Sequence, residues 1–208
     1  MIRRLEFASC YAYSPRGVTE PSQQSRQLCY RIKAGDAEAI RLAAERVREF
    51  HDAGRFPDFF GPEVTLVAVP GRAPLAPGAT SRTQSICDAL AALGLGREVL
   101  ALIARSSPVT KSAYAAPADR PSAEEHHATI DVQPTLVPPA RILLVDDVVT
   151  RGSTLLGAAS RVRDAYDDCE IRGFALIRTI SLGEVEVVRD PCAGWIERSP
   201  GGGTVRRP

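Results

Sequence analysis

Apolar residues along this chain follow two rhythms, and each predicts its own kind of element. Val64-Thr65-Leu66-Val67-Ala68-Val69 is a β-branched run closed by Pro70-Gly71, the pattern of a strand buried on both faces. Val99-Leu100-Ala101-Leu102-Ile103-Ala104 and Phe174-Ala175-Leu176-Ile177-Arg178-Thr179 read the same way, and Arg141-Ile142-Leu143-Leu144-Val145 is the clearest strand of all. Elsewhere the period lengthens to that of a helix. Ile40, Ala43, Ala44, Val47 and Phe50 predict a helix from about 37 to 53, with Asp36 as N-cap and Gly54 and Pro57 as its stop. A second helix is expected over 83 to 93, ended by Gly94. A third is expected over 153 to 166, with Leu155, Leu156, Ala159, Val162 and Ala165 on one side. Strands alternating with helices predict an α/β fold: a central, mostly parallel sheet with helices on both faces.

Three stretches break the rhythm. Residues 1–33 mix aromatic and polar residues around Tyr13-Ser14-Pro15-Arg16-Gly17, a turn signal. Residues 106–139 are rich in Pro, Ala, Ser and charge, the composition of a functional loop or a disordered segment. The tail from Pro191 through Gly201-Gly202-Gly203 reads as loop, with a short edge strand from Val185 to Val188. No internal repeat is seen. The expected organisation is one domain over 1–208, with an N-terminal segment 1–36, a core 37–180 containing a flexible loop 105–139, and a tail 181–208.

Composition narrows the classes. Hydrophobic residues at 44% and charged residues at 25% exclude wholesale disorder. Lys and Arg total 26 against 25 Asp and Glu, so the whole molecule is not an electrostatic nucleic-acid binder. No apolar run approaches the roughly 20 residues that cross a bilayer. Met1-Ile2-Arg3-Arg4-Leu5-Glu6-Phe7 lacks the apolar core of a signal peptide, which leads to the expectation of a cytoplasmic protein with no membrane partner. Cys10, Cys29, Cys87, Cys169 and Cys192 are scattered and odd in number, without the paired spacing of a disulfide framework or structural zinc site.

The chemistry centres on Ile142-Leu143-Leu144-Val145-Asp146-Asp147-Val148-Val149-Thr150-Arg151-Gly152-Ser153-Thr154-Leu155. A hydrophobic strand ends in two adjacent carboxylates, and a short loop with hydroxyls and a glycine opens a helix. Amides at that helix start, with the Thr150, Ser153 and Thr154 hydroxyls, suit one phosphate at the positive end of the helix dipole. Gly152 allows close backbone approach. Adjacent acids repel a phosphate, but they suit a vicinal diol as acceptors. A phosphate and a diol at fixed distance describe a ribose 5-phosphate unit. The segment is neither a Walker loop nor a dinucleotide fingerprint. A paired-Asp metal site, which needs further carboxylates from elsewhere, stays open.

This segment resembles the phosphoribosyl pyrophosphate (PRPP) signature of type I phosphoribosyltransferases: apolar residues, two acids, two apolar residues, Thr, a variable residue, Gly and Ser-Thr. Tyr13-Ser14-Pro15, Tyr30-Arg31-Ile32-Lys33-Ala34-Gly35-Asp36 and Gln84 are similar to the ComF-like (competence protein F) group, here without its zinc finger. The resemblance implies a type I phosphoribosyltransferase-like fold with a small hood made from residues 1–36 and the tail. It implies that Asp146 and Asp147 hold the ribose hydroxyls of PRPP. It further implies a PRPP loop running through Val148 and Val149, with Thr150, Arg151, Gly152, Ser153 and Thr154 binding the 5-phosphate. Val67-Ala68-Val69-Pro70-Gly71-Arg72 takes the place of the pyrophosphate loop, which makes Gly71 and Arg72 ligand residues. The loop before the signature strand would cover the ligand and offer cations to the leaving pyrophosphate, with Lys111 and Arg105 as catalytic candidates beside Asp147, and Arg120 as a further cation.

The implied reaction displaces pyrophosphate from PRPP by a nitrogen nucleophile, a nucleobase or a nucleotide, with Mg²⁺ bound mainly through PRPP. Thr150 stands where purine-type enzymes carry an acid, which argues against purine salvage, and Arg151 stands where a small residue is usual. The alternative is a non-catalytic PRPP or nucleotide sensor, or an accessory protein of DNA uptake; a homodimer is left open. His126 and His127, adjacent in an acidic loop, are expected to be solvated. Lys33 is expected at the surface, and Trp195 and Phe174 in packing rather than stacked on a base.

Overall fold

The computed structural model describes residues 1–109, 121–180, 183–199 and 203–208. In chain order the elements are β1 (Arg4–Tyr13), α1 (Glu20–Ala34), α2 (Ala37–Asp52), β2 (Val64–Ala68), α3 (Arg82–Ala92), β3 (Glu98–Val99) and β4 (Ile103–Arg105). They continue as α4 (Ala123–Ala128), β5 (Ile130–Val132), β6 (Arg141–Val149), α5 (Ser153–Ala165), β7 (Glu170–Thr179), β8 (Arg189–Arg198) and β9 (Thr204–Arg207). Seven strands form the main sheet in the order β3-β2-β6-β7-β1-β8-β9, and β4 and β5 form a separate antiparallel pair. From β3 to β1 all neighbours run parallel, while β8 and β9 fold back antiparallel. The expected α/β architecture, mostly parallel, is therefore present.

Side-chain alternation along the strands builds two cores, one on each face of the sheet. Leu143 and Val145 of β6, with Leu66 of β2 and Phe174 of β7, meet Ile32, Ile40, Val47 and Ile86 from α1, α2 and α3. Ile142 and Leu144 point the other way, to Leu155, Leu156, Ala159 and Val162 of α5. The α2 start is as expected: the Asp36 carboxylate accepts from the Ala39 amide at 3.1 Å. Phe174 is fully buried, edge-on to Phe60 at 5.1 Å and to Phe56 at 6.0 Å between ring centres.

Both ends of the chain depart from expectation. Residues 4–13 are an interior strand rather than part of a hood, paired with β7 on one side and β8 on the other. Leu5, Phe7, Ala8, Ser9 and Cys10 are all buried, so the small and polar residues that hid this strand serve close sheet packing. The hood segment also contains α1. The tail is not loop: β8 covers the edge of β1 and β9 covers β8. Pro191 is tolerated because the β1–β8 register shifts between Ser9 and Tyr11, and β9 pairs only with Trp195 to Arg198. The expected edge strand at 185–188 is irregular. The apolar run 99–104 splits between β3 and β4, which lie in different sheets. Within the expected loop 105–139, α4 and β5 are regular elements. Trp195 pairs with Glu6 across the sheet, with the Arg4 guanidinium 4.1 Å over its ring.

Two predictions follow from how the ends are secured. Deleting residues 189–208 should abolish the cooperative unfolding transition in a denaturant titration; a truncated chain with the parental midpoint would make the hairpin a mere appendage. The start of α1 lacks a side-chain cap from Thr19, and Glu184 secures the segment that leads into it: its carboxylate accepts from the Val18 amide at 2.9 Å, the Thr19 hydroxyl at 2.9 Å and the Ser22 hydroxyl at 2.7 Å. These bonds, Ser22 foremost, hold the Glu184 carboxyl at about 2 against an ordinary 4.5. The contribution is complete above the ordinary value and disappears as pH falls from 4.5 to 2. Glu184→Gln should therefore flatten the dependence of stability on pH over that window, measured by denaturant midpoints at each pH.

Candidate functional site

β6 is buried on both faces until it reaches the carboxyl-terminal edge of the sheet, where open α/β sheets bind ligands. Asp146 and Asp147 stand there side by side, the Asp147 amide donating to the Asp146 carboxyl at 2.8 Å, and their environments differ. Burial, and then the neighbouring Asp147 charge, push the Asp146 carboxyl well above the usual carboxylate range. Asp147 is ion-paired with Arg82, at the start of α3, and also accepts from the Val148 amide at 2.8 Å. Arg82 in turn donates to the Lys33 carbonyl at 3.1 Å, which joins the end of α1 to the site. One carboxyl is thus biased toward the neutral form, able to donate, and the other is a carboxylate acceptor.

Gly152 links β6 to α5 in the left-handed region, at φ +89°. A Cβ there would lie 2.5 Å from Ile196 of β8, so this face of the turn is closed by the C-terminal hairpin. The same hairpin brings Thr204 to the Ser153 hydroxyl at 2.7 Å, and Arg206 donates to the Thr150 carbonyl at 3.1 Å. The Thr150 hydroxyl meets Thr179 at 3.4 Å, and that of Thr154 meets His126 Nε2 at 3.3 Å. Each hydroxyl has a single O–H to donate, so it serves an anion where it accepts in its protein contact and keeps that O–H free. Arg151 is exposed on the same turn, and Val148 and Val149 continue β6.

Two expected roles change. Arg105 is 5% exposed, and its donors are spent on protein: Gly71 carbonyl at 2.9 Å, Thr129 hydroxyl at 2.5 Å, His126 carbonyl at 3.4 Å and His126 Nδ1 at 3.2 Å. It braces the site and is not positioned as a catalytic cation. His126 is buried, not solvated, because α4 packs directly on Gly157 of α5. His127 turns aside to pair with Asp164. Gly71 and Arg72 lie on the exposed turn after β2, joined to the following segment by the Val109 amide donating to the Arg72 carbonyl at 2.8 Å. Lys111 and Arg120 lie outside the described residues.

The elements thus gather Asp146, Asp147, the 150–154 turn, Gly71 and Arg105 around one edge of the sheet. Arg82, Ile196, Thr204 and Arg206 carried no expectation from the sequence, and His126 was expected in solvent. Arg82 had one legible signal, a cation in the first turn of a helix that follows a strand-end loop. The others depend on distant segments meeting, which no local pattern encodes.

Burial and the Arg105 charge lower His126 to about 4 from an ordinary 6.5. A histidine kept neutral in the fold stabilises fully above its ordinary value, and this contribution is lost as pH falls from 6.5 toward 4. The parent should lose about 2–3 kcal/mol more than His126→Gln across that window, by denaturant titration at each pH. Parallel pH profiles would show that His126 is protonated as easily in the fold as in the unfolded chain. No protein-family model matches the chain, and no curated protein matches it.

Proposed function

We propose that the protein binds PRPP and transfers its phosphoribosyl group to a nitrogen nucleophile, releasing pyrophosphate. The observation that carries this reading is the unequal pair Asp146 and Asp147 beside the first turn of α5. A carboxyl biased toward its neutral form beside one paired with Arg82 suits two neighbouring hydroxyls, one as donor and one as acceptor. The helix start next to them suits a phosphate through amides that have no partner within the helix and through its hydroxyls. The type I phosphoribosyltransferase-like fold is part of this proposal, supported by the parallel strand order and by the position of the two acids at the strand ends.

In the proposed reaction the anomeric C–O bond to diphosphate breaks, its electron pair leaving with the diphosphate, as the nitrogen lone pair forms the C–N bond, and the nitrogen's proton passes to the departing diphosphate or to water. Charge grows on the departing diphosphate, so cations at its end of the site contribute most to the rate. Arg82 and Arg72 flank the β2–α3 connection and fill this role. Arg82 exchanges its Asp147 partner for phosphate oxygens, which frees the carboxylate for the ribose. Among the described residues no cluster of three or more His, Cys, Asp or Glu forms a metal site. Two carboxyls, one raised toward neutrality and one paired with Arg82, fit Mg²⁺ that arrives on the diphosphate rather than a resident ion. The ion supplies neutralisation of the diphosphate charge.

The second reading is a PRPP sensor without turnover, favoured by the commitment of Arg105 to protein acceptors. Calorimetric titration with PRPP and Mg²⁺, followed by pyrophosphate release against a panel of bases, separates the two. Binding with release supports the transferase; binding without release for any base supports the sensor, and no binding sinks both. Asp147→Asn should weaken ribose 5-phosphate by roughly 5- to 30-fold, about 1–2 kcal/mol, because an amide accepts at only one of its two ends. Inorganic phosphate should bind the variant as it binds the parent. Equal ribose 5-phosphate affinity would remove Asp147 from the diol site.

A further inference from the structure

Arg105, His126 and Thr154 form a chain of hydrogen bonds with a defined direction. A guanidinium only donates, so the contact of Arg105 Nη2 with His126 Nδ1, at 3.2 Å, makes Nδ1 the acceptor. A neutral imidazole carries one proton, which then sits on Nε2. Nε2 faces Thr154 Oγ1 at 3.3 Å, so the threonine oxygen accepts. Its own O–H is left to point away from His126, on the first turn of α5, whose amides have no partner within the helix.

We propose that His126 is a positioning residue: relayed from Arg105, it turns the Thr154 hydroxyl outward as a donor to the phosphate held at the start of α5. The inference rests on the ribose-phosphate reading given above. Three further observations support it. Arg105 is buried against two carbonyls, a hydroxyl and an imidazole, so no carboxylate in that set cancels its charge behind the phosphate site. The acidic groups that act on this pair are Glu125, at His126, and Asp146, at Arg105, and Asp146 is itself biased toward its neutral form. The approach of His126 to α5 is possible only at a glycine: a Cβ on Gly157 would lie 2.6 Å from both the His126 Cβ and the Ala123 carbonyl. Arg105 also holds the Gly71 carbonyl, so one buried cation connects the turn after β2 with the turn after β6.

The test has two arms. Long-range ¹H–¹⁵N NMR of the parent at neutral pH should show the His126 proton on Nε2; a proton on Nδ1 overturns the relay whatever the ligand does. Titration with inorganic phosphate and with ribose 5-phosphate should show Thr154→Val and His126→Phe each weakened roughly 5- to 20-fold. His126→Gln, whose amide can donate to Thr154, should stay within about threefold of the parent. The double variant should bind no worse than Thr154→Val alone, because the two groups act in series. Additive losses, or a glutamine variant as weak as the phenylalanine one, would reduce His126 to packing. Should His126→Phe not fold by circular dichroism, parental affinity in Thr154→Val overturns the proposal. A parent with the Nε2 proton that binds neither probe overturns the phosphate site itself, and with it the purpose of the relay.

Discussion

Burial of β6 on both faces is the constraint from which the site follows. A strand packed between α1–α3 on one side and α5 on the other has nowhere to place a charge until it leaves the layers. Asp146 and Asp147 come at that limit. One carboxyl is still desolvated enough to resist ionisation, while the other finds the Arg82 guanidinium. The chemical difference between two identical side chains is therefore a consequence of sheet packing.

The C-terminal hairpin shapes the turn that follows. Ile196 fills the space over Gly152, Thr204 reaches Ser153, and Arg206 holds the Thr150 carbonyl. A turn on the edge of an open sheet is thus held from the side by β8 and β9. Glycine is required at 152 for two reasons that coincide, the positive φ and the Ile196 contact, either of which would exclude a larger residue.

A third element acts from the same side of the sheet as Ile196. α4 lies on α5 at Gly157, and its His126 sits between a buried arginine and the second residue of the α5 helix. Arg105, placed in the sequence as a cation for a leaving group, instead spends its donors on Gly71, His126 and Thr129. A guanidinium with so many bonds to make is satisfied inside the protein before it can serve a ligand.

The sequence by itself determined the layered α/β plan, the start of α2 at Asp36, and the position of two acids and a hydroxyl-rich turn at a strand end. These are local matters: apolar periodicity, a cap and a glycine each act over a few residues. It did not reveal β1, whose glutamate, serine and tyrosines disguise an interior strand, or β8, whose Pro191 is tolerated only at a shift in the β1 register. Tertiary structure alone decided which of two adjacent aspartates pairs with Arg82, and that His126 faces Thr154 rather than water. Those outcomes depend on segments far apart in the chain meeting in a medium of low polarity. There the partner a group finds, more than its own chemistry, sets its charge and its direction.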